Sequence, residues 1–77
     1  MKSITIQLNS VDKVKAFVNI ISLIDGEFDL GSDRYVVDAK SIMGIFSLDL
    51  NKPLQLHIHN DSEFETAMQK LAEFIVQ

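Results

Sequence analysis

Near its start the chain changes the spacing of its apolar residues from two to three and four, and this change dictates a strand followed by a helix. Ser3-Ile4-Thr5-Ile6-Gln7-Leu8 alternates polar and apolar, which places Ile4, Ile6 and Leu8 on one face of a half-buried strand. Asn9-Ser10 interrupts the pattern, and either residue can cap a following helix through its side-chain oxygen. Val11, Val14, Phe17, Val18, Ile21 and Leu23 or Ile24 then recur at helical spacing, so one side of this helix packs inward. Asp12 lies in its first turn, where the positive end of the helix dipole favours a carboxylate. Asp25-Gly26 closes the helix, with Gly26 suited to a left-handed C-terminal conformation.

Two short strands follow, about Glu27 to Leu30 and Arg34 to Ala39, joined by a tight turn at Gly31-Ser32-Asp33. Ser41 to Leu48 is apolar and contains Gly44, and reads as a brief, partly exposed helix. Asp49-Leu50-Asn51-Lys52-Pro53 is a loop, with Pro53 beginning the next strand where its missing N–H does least harm. Leu54, Leu56 and Ile58 alternate with Gln55, His57 and His59. Asn60-Asp61-Ser62 signals another helix start, and Asp61 or Ser62 with Glu65 resembles a capping box. Phe64, Met68 (or Ala67), Leu71, Ala72 and Ile75 trace an amphipathic helix to the C-terminus. The order is βαββαβα, an α+β domain with helices on one face of a four-stranded sheet. Residues 1–77 form a single unit with no repeat and no linker.

At 77 residues the domain is near the lower limit for folding without staples, and it has no cysteine to supply a disulfide or thiolate metal site. Its stability therefore rests on the core, for which a hydrophobic content of 47% is sufficient. A net charge of -4 argues against nonspecific nucleic-acid binding and against an anionic membrane surface. No apolar run approaches the length of a membrane span, and Met1 to Asn9 alternates where a signal peptide would be continuously apolar. A cytoplasmic monomer is expected.

No nucleophile elbow or Gly-rich phosphate loop is present, and three glycines make a phosphate cradle improbable, so no enzymatic turnover is expected. His57 and His59 share one face of a strand, but a structural zinc site needs about four ligands. They read as polar residues on the less buried sheet face, and neither a metal nor another cofactor is expected. The most informative stretch is Lys40-Ser41-Ile42-Met43-Gly44-Ile45-Phe46-Ser47-Leu48. With Ser41 as cap, Ile42, Met43, Phe46 and Leu48 cannot all point inward within two turns. They either form an exposed apolar docking patch or seal the edge of the core.

This segment closely resembles the regulatory-serine region of HPr, the phosphocarrier of the bacterial phosphoenolpyruvate:sugar phosphotransferase system. The pattern Lys-Ser-Ile-Met-Gly-x-x-Ser-Leu is matched at Lys40, Ser41, Ile42, Met43, Gly44, Ser47 and Leu48. The resemblance implies the HPr fold, an open-faced β-sandwich in which helices cover one side of an antiparallel sheet. It implies that Ser41 matches the serine modified by HPr kinase/phosphorylase. It also implies that Ile42, Met43, Phe46 and Leu48 match the patch that docks on enzyme I, sugar-specific permease components and transcriptional regulators.

The other end of the chain departs from the family. The active loop, roughly Gly-Ile-His-Ala-Arg-Pro-Ala, falls on Ser10-Val11-Asp12-Lys13-Val14-Lys15-Ala16. The phosphoryl-accepting histidine is thereby placed on Asp12, its arginine on Val14 and the proline on Lys15. Asp12 lacks the arginine that would steady a transferred phosphate, and as a fixed charge it lacks the oxygens of a phosphohistidine. The expected function is that of a regulatory or adaptor protein, docking on protein partners and switched by phosphate on Ser41. The alternative is an atypical phosphocarrier that accepts phosphate at a non-standard residue such as Asp12.

Overall fold

The alternating start becomes β1 (Lys2–Ile6), followed by α1 (Val11–Ile21), β2 (Phe28–Gly31), β3 (Val36–Asp38), α2 (Ile42–Phe46), β4 (Leu54–Ile58) and α3 (Phe64–Lys70). Single 3-10 turns at Asp61–Glu63 and Ala72–Phe74 flank α3. The computed structural model describes residues 2–76. The strands form one sheet in the order β1-β4-β2-β3, with every neighbouring pair antiparallel.

Register sorts the side chains into two faces. Ile4, Leu56, Leu30 and Val37 form one row across all four strands, and this face lies against the helices. The next row, Ser3, His57, Asp29 and Asp38, belongs to the open face. A single slip would exchange the two, so the apolar alternation fixes the pairing. Val14, Phe17 and Ile21 of α1, Ile45 of α2, and Ala67, Leu71 and Phe74 near the C-terminus complete one core. Phe17 and Phe74 meet edge to face, with ring centroids 5.8 Å apart and an 88° interplanar angle. Such a pair contributes about 1 kcal/mol beyond its buried area. Ser10 is the α1 cap, its hydroxyl accepting the Lys13 N–H at 3.1 Å.

Several element ends differ from the sequence expectation. Val11, expected to face inward, is the first residue of α1 and is 55% exposed. The helix stops at Ile21, and the chain continues through tight bonds from Leu23 N–H to Ile20 O and from Ile24 N–H to Ile21 O. These throw Leu23 into solvent and turn Ile24 into the core. Gly26 does adopt a left-handed φ of 108°, but in the connection to β2 rather than as the helix cap. Gly31 remains in β2 opposite Val36, so the hairpin closes one pair later, through Ser32 N–H to Tyr35 O at 2.9 Å. Among the described residues no non-glycine has positive φ, so this turn is made without a left-handed position.

At the other end, Asn60 supplies the cap of the 3-10 turn, its side-chain oxygen accepting Ser62 N–H at 3.1 Å, one residue ahead of the Asp61 or Ser62 expected to cap. The last helix ends at Lys70. A 3-10 turn then carries Phe74 inward and leaves Ala72 exposed, because Leu71 and Phe74 three residues apart match its period. Ile75 is extended and bridges to Ile6, and Val76 N–H donates to Thr5 O at 3.0 Å, so the end of the chain lies along β1. Gln77, to which the terminal helix was expected to run, is outside the described residues.

Candidate functional site

The site is built where β3 hands over to α2. The chain turns there because the Asp38 carboxylate accepts the Lys40 backbone N–H at 2.9 Å, while the Asp38 carbonyl accepts Ser41 N–H at 3.0 Å. Ser41 is thereby left extended (φ -100°, ψ 105°), and its hydroxyl accepts Gly44 N–H at 3.2 Å, satisfying a donor that the start of α2 would otherwise leave bare. The Lys40 ammonium reaches the Ile24 carbonyl. Gly44 lets the helix sit close: a Cβ there would lie 3.2 Å from the Val37 Cβ and 3.3 Å from the Ser41 hydroxyl. Ser47 closes the helix, its hydroxyl donating to Gly44 O at 2.6 Å.

These contacts divide the apolar residues of the segment. Ile45 is fully buried and anchors α2 in the core. Leu48 is also core, at 6% exposure, and Ile42 is half-buried against the same cluster. Leu48 therefore cannot be part of a docking patch, since burying it is what holds the end of α2 down. Ile42 is at most the margin of the patch. Met43 at 78% and Phe46 at 41% are the two side chains offered to solvent, and Ser41 beside them is exposed. The helical spacing of three between Met43 and Phe46 puts both on one outward stripe.

The start of α1 presents Ser10, Val11, Asp12, Lys13 and Lys15 to solvent. Asp12 lies in the first turn, as expected. Val14, the position to which the resemblance assigns the family's arginine, is fully buried in the core. Ser10, as cap of α1, is the exposed residue at the helix boundary itself. Two hollows of about 280 and 290 Å³ lie elsewhere, one lined by Gly26 to Asp29 and Asp38, the other between the hairpin turn and the loop after α2.

The two histidines of the chain lie on β4 and just beyond it. His57 is half-buried on the open face, between Ser3 and Asp29 in the cross-strand row. His59 pairs with Asp29, Nε2 to Oδ2 at 2.6 Å, a contact the sequence reading missed because the partner comes from a different strand. Among the described residues no group of three or more His, Asp or Glu side chains could hold a metal ion. Also among the described residues, no helix is long and apolar enough to cross a membrane.

A four-stranded antiparallel sheet with one face open and three helices on the other makes this domain an open-faced β-sandwich. Residues 12–77 match the family described as PTS HPr component phosphorylation site. The chain belongs to the HPr family, whose members are phosphocarriers rather than catalytic enzymes. It is similar in structure to HPr-C-His from Thermoanaerobacter tengcongensis, with a TM-score of 0.78 and 30% sequence identity over 95% of this chain and 89% of that one. A search of curated protein sequences finds no match.

Proposed function

We propose that this HPr-family chain acts as a regulatory adaptor in the cytoplasm, docking on protein partners through Met43 and Phe46 and switched by phosphorylation of Ser41. The observation that carries this reading is the exposure of Met43 and Phe46 immediately after an accessible serine hydroxyl. Two large apolar side chains held outward by a helix whose other face is locked into the core are what a protein partner requires as anchors. A phosphate on Ser41 adds nearly two negative charges beside them and so alters which partner surface fits. Partners of this kind are HPr kinase/phosphorylase, other phosphotransferase-system components or a transcriptional regulator.

The same reading takes the chain out of histidine phosphotransfer. Asp12 and the cap Ser10 stand at the start of α1, and His57 and His59 lie in and beyond β4. Asp12 then serves the helix dipole, a contribution of a few tenths to about 1 kcal/mol.

Incubation with an HPr kinase and ATP, followed by intact mass and peptide mapping, is expected to place one phosphate on Ser41. Enzyme I with phosphoenolpyruvate is expected to leave the chain unlabelled. A chain inert to the kinase removes the switch. The exposure of Asp12 supports a second reading, an acyl-phosphate carrier, which predicts a hydroxylamine-labile phosphate on Asp12 in the enzyme I reaction.

A further inference from the structure

The chain has no cysteine, so its sulfur chemistry rests on three methionines, of which Met43 and Met68 lie among the described residues. The two differ in their surroundings. Met68 is half-buried and packs against the core cluster, so an oxygen added to its sulfur would be forced among apolar neighbours. Met43 is 78% exposed, at the second position of α2 and on the outward stripe that it shares with Phe46. The fastening of α2 lies elsewhere: Ile45 and Leu48 hold it in the core, and the Ser41 hydroxyl accepts Gly44 N–H at its start. An oxidant dissolved in water therefore reaches the Met43 sulfur freely and is screened from that of Met68.

We propose that Met43 is a peroxide-sensitive modification site, and that its oxidation to the sulfoxide withdraws the α2 patch from protein partners. The inference rests on the docking reading above and adds to it a control that does not pass through Ser41. A lone pair of the thioether sulfur attacks one oxygen of hydrogen peroxide, and the O–O bond breaks as the S–O bond forms. The departing hydroxide takes the proton of the transferred oxygen and leaves as water. Sulfur gives up two electrons and the peroxide gains them. The product is polar and chiral where the thioether was apolar and flexible. Its oxygen is a hydrogen-bond acceptor, and covering it with an apolar partner surface leaves that acceptor unpaired. In the free chain the same oxygen stands in water, so the fold is unaffected and the change acts on the complex. Thiol-dependent reductases return methionine sulfoxide to the thioether, which makes the change reversible.

The test treats the full chain with hydrogen peroxide, removes the peroxide, and follows peptide masses, thermal unfolding and retention on a phenyl matrix in high sulfate. Met43 is expected to take up oxygen about tenfold or more faster than Met68. The chain oxidised at Met43 is expected to melt with the untreated one and to leave the phenyl matrix earlier. Met43→Leu, compared only with itself, is expected to elute alike with and without peroxide. Equal oxidation of the two methionines overturns the proposal. So does unchanged retention, a shift that Met43→Leu still shows, or a melting point lowered by oxidation of Met43. The same samples then meet an HPr kinase and ATP. Oxidation is expected to slow phosphate transfer to Ser41 by about fivefold or more, while Met43→Leu keeps one rate before and after peroxide. Equal transfer to oxidised and untreated chains overturns the proposal. A kinase inert toward the untreated chain removes the phosphorylation reading instead, and the phenyl matrix then decides the proposal by itself.

Discussion

The Lys40 ammonium donates to the carbonyl oxygen of Ile24, sixteen residues earlier in the chain, at 2.8 Å, and passes 5.6 Å from the centroid of the Phe28 ring. One side chain thus ties the chain leaving α1 to the residue that precedes the capping serine of α2. Lys40→Met keeps most of the aliphatic stem and removes the donor, leaving a partly buried carbonyl without its partner. A loss of about 1 kcal/mol is expected. Urea unfolding checks it: the midpoint should fall with the slope unchanged, and an unmoved midpoint means that water replaces the ammonium without loss.

Ser41→Ala deletes the oxygen that accepts Gly44 N–H and is expected to destabilise the domain by about 1 kcal/mol. Ser41→Asp retains a capping acceptor and should unfold close to wild type. Thermal unfolding of the three proteins separates the capping role of this residue from its role as a modification site. Equal melting of alanine and wild type would show that the core contacts of Ile45 and Leu48 hold α2 without help from the cap.

Met43→Ala and Leu48→Ala should behave in opposite ways although the residues are five apart. Met43 is 78% exposed, so truncating it changes stability by less than about 0.5 kcal/mol. Leu48 is core, and its truncation is expected to cost about 2–4 kcal/mol. With a captured partner, Phe46→Ala should weaken binding by more than about 1 kcal/mol while leaving the fold intact. Calorimetry alongside unfolding measures both, and unchanged binding by Phe46→Ala removes the docking role.

Gly26→Ala is expected to destabilise by about 1 kcal/mol or more through the backbone and not through crowding. Its φ of 108° is one that a Cβ disfavours, yet the nearest atom to such a Cβ, Cγ of Glu63, is at an ordinary 3.6 Å. Gly26→Asn tolerates left-handed backbone better and should lose less. Equal losses for the two, read by chemical denaturation, would contradict a backbone cause.

The strands and α1 were legible because each is an amphipathic run whose period survives in the fold: Ile4 and Ile6, Val14, Phe17 and Ile21, and Leu54, Leu56 and Ile58 all face the core. The element ends were not. Gly31 has the composition of a turn residue but lies in a strand, and Ile75 fits a helical period but leaves the helix to pair with Ile6. Tertiary hydrogen bonds decided both, and local propensity contains no trace of them. At the site, the Lys40-to-Leu48 motif located the cap and the exposed patch. Which of its five apolar residues face outward depends on how α2 packs over Val37, a contact between elements that the chain order does not specify. The Asp29–His59 pair joins two strands that are neighbours only after folding, and nothing in either segment announces it.

The run of the C-terminal residues along β1 has a consequence for assembly. Gln7 N–H donates to Phe74 O at 2.9 Å and Val76 N–H to Thr5 O at 3.0 Å, so this border of the sheet is already occupied over its inner half. Its remaining stretch begins with Lys2, a residue type that natural sheets use to repel further strands. A molecule with two bare borders can stack into ribbons without limit. Here residues 74–76 already take Thr5 and Gln7 on the β1 border, so a strand arriving there meets a partly covered edge, and the chain's own tail hinders such stacking.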